Sequence, residues 1–156
     1  METKANLTER TLAALQDLIR INIDSAKGFR EASDAIADAN LARLFQDVAR
    51  IRDRHAVELQ QSVRINARSA ADDGSALGTL HRWWLDLRAW VNDGDPYAVL
   101  AEVMRGEDAI KEAYERLLRD VAGNPLSPVL HRQFAEILAT HDQMHQLHER
   151  RGKVAK

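Results

Sequence analysis

The sequence predicts an all-α protein: one antiparallel four-helix bundle, with an extra helical segment in the crossover between the second and third bundle helices. Three observations carry that expectation. The chain has 156 residues, enough for a single domain with a substantial core. It is rich in Ala, Leu, Arg, Asp and Glu, holds only 7 Gly and 3 Pro, and lacks period-two runs of Val, Ile and Thr. Its apolar residues recur every three or four positions over long stretches, and short turn signals separate those stretches.

The first helix is expected over residues 7–37, with Leu12, Leu15, Ile19, Ala26, Phe29, Ser33 and Ile36 on its inner face. Asn6 followed by Glu9 reads as a variant capping box. Asn22 shares the inner stripe. Gly28 in mid-helix costs about 1 kcal/mol against Ala, which a close helix approach would justify. Residues 38–40, Asp38-Ala39-Asn40, form a short link with N-cap chemistry. The second helix follows over residues 41–66. Leu41, Leu44, Phe45, Val48, Ile51, Leu59 and Val63 build its buried face, and His55 falls among them. Arg43, Arg50, Arg52, Asp53, Arg54 and Arg64 read as a mostly solvated surface.

Residues 70–75 are the longest loop signal. The chain then enters the crossover segment, residues 76–91, which holds all three tryptophans. Leu80, Trp84, Leu87 and Val91 make one stripe there, with Trp83 and Trp90 toward its flank. Asp95-Pro96 restarts a helix as N-cap and first helical residue, and the third bundle helix runs over residues 96–121. Gly123 or Asn124 suits the left-handed position that closes it. Ser127-Pro128 repeats the cap-then-proline signal for the fourth helix, residues 128–149, with Leu130, Phe134, Ile137, His141 and Met144 inward. The short links make neighbours antiparallel, and the long second connection makes a crossover. The domain is therefore residues 1–156, with its core in 7–149 and a frayed basic tail at 150–156.

Composition excludes several function classes. With 22 basic against 24 acidic residues, bulk electrostatics do not favour nucleic acid. The arginines of the second helix are interspersed with acids and lack aromatics for base stacking. The chain has no cysteine, so thiolate metal sites, iron–sulfur clusters, disulfides and cysteine nucleophiles are out. The start Met-Glu-Thr-Lys-Ala-Asn has no apolar run, no stretch is apolar enough to span a membrane, and a cytoplasmic location is expected. No P-loop, Gly-rich dinucleotide loop, His-Glu-x-x-His or Ser/His/Asp arrangement occurs, which points away from an enzyme.

The chemistry-bearing residues lie on inner stripes. Glu107 sits between Met104 and Ile110 on the stripe Leu100, Met104, Ile110, Tyr114, Leu117, Val121. A carboxylate buried there needs a partner, a proton or a metal ion. His55 and His141 lie on the inner stripes of two other helices, and Glu31 or Asn22 could join from the first. Two readings follow: a metal site built on Glu107, His55 and His141 with Glu31, or a buried polar cluster in which Glu107 pairs with a histidine or an arginine such as Arg52. The second is favoured, because buried charges are normally paired and such pairs need no metal. A histidine that did meet Glu107 would have its pKa raised. His141, His145 and His148 share one face near the end of the fourth helix, where an i, i+4 pair can chelate a divalent ion or simply favour the helix C-terminus. Trp83 and Trp90 are interface candidates, because Trp is enriched at protein contacts.

Several stretches together resemble an uncharacterised bacterial family of four-helix-bundle proteins in the ferritin-like superfamily, a domain of unknown function. They are Gly28-Phe29-Arg30-Glu31-Ala32, Ala56-Val57-Glu58-Leu59, Arg105-Gly106-Glu107-Asp108-Ala109, Tyr114-Glu115 and His141-Asp142. The likeness spans residues 8–149, and Arg-Gly-Glu-Asp followed by Tyr-Glu is its most specific piece. It implies a ferritin-like bundle and little about activity. Ferritin-like proteins often hold two metal ions with one Glu from each of two helices and a Glu-x-x-His from each of the others. Here Arg52 stands three residues before His55, and Leu138 three before His141, so neither Glu-x-x-His is present. The expectation is a structural or interaction protein, stress-related, without a cofactor, that self-associates as a homodimer or higher homo-oligomer. The alternative is an iron- or manganese-binding protein with an incomplete ligand set.

Overall fold

The structure, a computed structural model, describes residues 2–73 and 96–154, with side chains for 2–73 and 99–150. The described residues form helices α1 (Glu9–Ala35), α2 (Ala39–Ile65), α3 (Pro96–Asp120) and α4 (Ser127–Val154). Apart from an isolated bridge between Thr3 and Asn6, they contain no β-structure. None of these helices is long and apolar enough to cross a membrane. The all-α expectation holds. The crossover segment at 76–91, with Trp83, Trp84 and Trp90, and the capping residue Asp95 lie outside the described residues.

The third bundle helix starts at Pro96 as expected, and the other three start one or two residues away from expectation. Thr8, not Asn6, caps α1: its side chain accepts from the Thr11 N–H, while Asn6 is held in the bridge to Thr3. Glu2 adds a second acceptor, taking the Thr8 N–H at 2.7 Å and the Thr11 hydroxyl at 2.9 Å. Within the expected link it is Asp38 that caps α2, accepting from the N–H groups of Asn40 and Leu41, so the helix begins at Ala39 rather than Leu41. At α4 the first helical bond runs from the Leu130 N–H to the Leu126 carbonyl, so Leu126 rather than Ser127 is the capping residue. The 150–156 stretch is not a frayed tail in its first part, because α4 continues to Val154.

Two helix ends use left-handed residues. Gly123 has φ +80° after α3, where a left-handed residue was expected. Ala67 has φ +56° after α2, and around it the Ala67 N–H reaches the Arg64 carbonyl and the Arg68 N–H the Val63 carbonyl. That is a Schellman closure with alanine where glycine is usual.

The start of α1 is tied to the end of α2. Asn66 accepts from the Leu7 N–H at 2.8 Å and donates to the Lys4 and Ser62 carbonyls. Gln16 and Gln60 bind the backbone of the following loop at Ser69 and Ala71.

The buried apolar side chains fall into two clusters. One gathers Phe29, Ala32, Leu41, Leu44, Phe45, Val48, Val99, Leu100, Val103 and Met144. Phe29 and Phe45 meet there at a ring-centroid distance of 5.6 Å. The other gathers Leu12, Leu15, Ile19, Leu59, Val63, Ile110, Tyr114, Leu117, Leu130 and Ile137. Along α1, α2 and α3 the residues between the two clusters include buried polar ones: Asn22 and Ser25, Arg52 and His55, and Glu107. On α4, Thr140 is buried between the two clusters, and Gln133 is buried within the second, between Leu130 and Ile137. A polar belt thus crosses the middle of the core.

Candidate functional site

Helical spacing builds the belt. Asn22 and Ser25 are three apart on α1, and Arg52 and His55 three apart on α2, so each pair projects from one face. Arg52 lies on the stripe Val48, Arg52, His55, Leu59, Val63, and every member of it is buried. Placing Arg52 on a solvated surface is therefore wrong. Spacing outranks side-chain charge here, because the charge is neutralised inside.

The neutralising group is Glu107. The Arg52 Nη2 contacts Glu107 Oε2, and the two side chains are 0% and 1% exposed. Burial pushes the Glu107 carboxyl above its ordinary range, and the Arg52 guanidinium beside it pulls it back only in part. Glu107 does find the arginine partner named as one alternative.

A hydrogen-bonded relay joins the four helices next to this pair. Asn22 donates to the Leu18 carbonyl and to the Tyr114 hydroxyl, both at 2.9 Å. The Tyr114 hydroxyl donates to Gln133 Oε1 at 2.9 Å. Gln133 Nε2 donates to Glu58 Oε1 at 2.7 Å, and Glu58 is also bound by Arg132. Burial keeps the Tyr114 hydroxyl protonated by raising its pKa well beyond the usual phenol range. Burial also acts to raise the Glu58 carboxyl, but its bonds from Arg132 and Gln133 prevail and hold it low.

The histidines do not join Glu107. His55 is 1% exposed, and its Nε2 stands 3.5 Å from Glu136 Oε2, a carboxylate already engaged by Arg54 at 2.6 Å. Burial, with the charge of Arg52, pushes the His55 imidazole down to about 4, so it is neutral near pH 7. A raised histidine pKa through Glu107 is not what forms. His141 is paired with Asp108 instead, Nε2 to Oδ1 at 2.7 Å, with Asp142 Oδ1 at 3.6 Å from its Nδ1. His145 stacks beside it, ring centroids 4.4 Å apart. Glu31 is half-buried further along α1, at the level of Phe29 and Ala32. The set Glu107, His55, His141 and Glu31 is therefore divided among different neighbourhoods. Trp83 and Trp90 lie outside the described residues.

The belt does not carry the ligands that two divalent ions require. Such a pair needs several carboxylates converging from facing helices. Here α1 offers Asn22 and Ser25, α2 offers Arg52 before His55, and the Glu107 carboxylate already faces a guanidinium. Arg52 Nε and Nη1, both His55 ring nitrogens, Asn22 Oδ1, Ser25 Oγ and Glu107 Oε1 have no hydrogen-bond partner among the described residues. The Arg52 guanidinium, a cation, stands in that set beside the Glu107 carboxylate. The residues present do not fit a two-metal centre.

The residues that could hold a metal ion lie elsewhere. Ligand atoms of Asp108, His141 and His145 all fall within 4.8 Å of one another. Sequence reasoning found the histidine pair by its spacing but missed Asp108. The side chain next to Glu107 points about 100° away around α3, toward the α4 face that carries the histidines.

Comparison with known proteins agrees with an uncharacterised family. The model of a family described as Domain of unknown function (DUF2383) matches residues 10–120, which spans α1, α2 and α3. No curated protein matches the chain.

Proposed function

The chain belongs to the DUF2383 family, whose description assigns no function, and we propose from its geometry that it is an antiparallel, ferritin-like four-helix bundle serving as a structural or interaction protein. One observation carries this reading. An arginine–glutamate pair occupies the middle of the core, with a hydrogen-bonded relay across the four helices, where ferritin-like bundles hold metal between facing helices. The guanidinium supplies positive charge that an ion would otherwise bring to Glu107. Buried polar groups of this kind cost stability relative to apolar packing, and one attested return is a fixed register between helices. A scaffold with one register presents constant outer faces to partners, including further copies of itself. Its setting is read as cytoplasmic and stress-related, with no nucleic acid or membrane partner.

Two measurements test this. Metal analysis of untagged protein, compared with Glu107→Ala, should give no Glu107-dependent iron or manganese. An equivalent of either metal lost in that variant would overturn the reading. Sedimentation over a concentration series should show a dimer or larger species, and monomer throughout would remove the self-association.

A further inference from the structure

We propose that Asp108, His141 and His145 bind one divalent transition-metal ion on the seam between α3 and α4. The site is separate from the buried belt, and its chemistry is of a different kind. His141 and His145 are one helical turn apart on α4 with ring centroids 4.4 Å apart, so both imidazoles can turn a nitrogen toward one point. Asp108 brings a carboxylate from the other helix, and its Oδ1 is 2.7 Å from His141 Nε2.

That 2.7 Å contact has a proton where the ion would go. Metal–nitrogen and metal–oxygen bonds of about 2.0–2.2 Å need the two ligand atoms roughly 2.9–3.4 Å apart. The required opening is a few tenths of an ångström, and Asp108 can supply it because its side chain is 57% exposed. His141 is 14% exposed, but Asp108 opens to solvent and His145 is only partly buried, so water can complete the coordination sphere. Asp142, 3.6 Å from the other nitrogen of His141, adds negative charge next to the site. Two imidazoles with one carboxylate suit zinc, cobalt, nickel or ferrous iron, whereas calcium and magnesium prefer all-oxygen sets. A bound ion would cross-link α3 to α4, which otherwise meet here through side-chain packing and the Asp108–His141 hydrogen bond.

The probe is cobalt(II) alone, added to full-length, untagged, chelator-treated protein and followed by visible absorption and calorimetry. The expected result is one equivalent bound, with affinity at least roughly tenfold weaker in both Asp108→Asn and His145→Ala. His148→Ala should keep the wild-type affinity, which separates this site from the helix end. Zinc(II) should raise the melting temperature of the wild type and not of His145→Ala. Circular dichroism confirms that the two exposed-side variants remain helical. Equal affinity across wild type, Asp108→Asn and His145→Ala would overturn the proposal, as would binding abolished by His148→Ala.

Discussion

Arg52 on α2 and Glu107 on α3 face each other across the middle of the core, 55 positions apart in the chain and both shut off from water. Neither charge is tolerable there alone. Removing one partner leaves the other buried and unpaired, which costs about 3–5 kcal/mol, whereas replacing both with apolar residues is often neutral or stabilising. Glu107→Leu and Arg52→Met should therefore each lower unfolding stability by roughly that amount. The double variant Arg52→Met/Glu107→Leu should recover most of the loss. Urea denaturation of the four proteins measures the coupling directly. Additive losses in the double variant would show that the two residues act independently.

The Tyr114 hydroxyl is the midpoint of the relay, taking a bond from Asn22 and giving one to Gln133. Tyr114→Phe keeps the ring in the apolar cluster and removes only the oxygen. Asn22 Nδ2 retains the Leu18 carbonyl, so the main loss falls on Gln133 Oε1. The expected cost is about 1–3 kcal/mol, with the helix content by circular dichroism unchanged. A change below about 0.5 kcal/mol, the size of an ordinary surface substitution, would mean that Gln133 finds another partner.

Helix existence was readable from spacing because every helix carries a long stripe of apolar residues, as from Leu12 to Phe29 or from Leu41 to Val63. The buried positions of Asn22, His55 and Glu107 followed from the same periodicity. What failed was whatever depends on distant partners. Thr8 caps α1 with Glu2 folded back onto it, and no local rule prefers Thr8 to Asn6. Arg52 was misplaced because its charge was weighed and its position in the stripe was not. Asp108 was missed because only the packing of α3 on α4 brings it to His141. A one-residue step around a helix is about 100°, so spacing within one helix fixes its own faces and not which faces meet.

The left-handed residues at 67 and 123 give a pair of predictions of opposite sign. Ala67 carries a Cβ at φ +56°, a conformation that costs an L residue about 1–2 kcal/mol and glycine almost nothing. Ala67→Gly should raise stability by roughly 0.5–1 kcal/mol, after the extra freedom glycine gives the unfolded chain. Gly123→Ala should lower it by about 1 kcal/mol, purely through the backbone, because an added Cβ meets nothing within 4 Å. Thermal unfolding of both variants checks the signs. Loss of stability in Ala67→Gly would show that residue 67 does not hold the left-handed conformation in solution.

His55 sets an acid limit on the fold. Its pKa falls from 6.5 to about 4 on folding, because burial disfavours the imidazolium. Between those values the unfolded chain binds a proton that the folded one does not, so stability rises with pH across the window. The contribution is whole above pH 6.5, is lost as pH falls toward 4, and changes no further below that. The loss amounts to about 3 kcal/mol at the acid end. Glu107 runs the other way: a carboxyl raised on folding favours the folded state as it takes up its proton, which offsets part of the loss. The two are separated by comparing the wild type with His55→Leu in urea at pH 7, 6, 5 and 4, values chosen to bracket the window. The stability difference between the proteins should shift toward the variant by up to about 3 kcal/mol on acidification, with most of the shift between roughly pH 6 and 4. A difference independent of pH would mean that His55 protonates as readily folded as unfolded, and the belt around it would have to be wet.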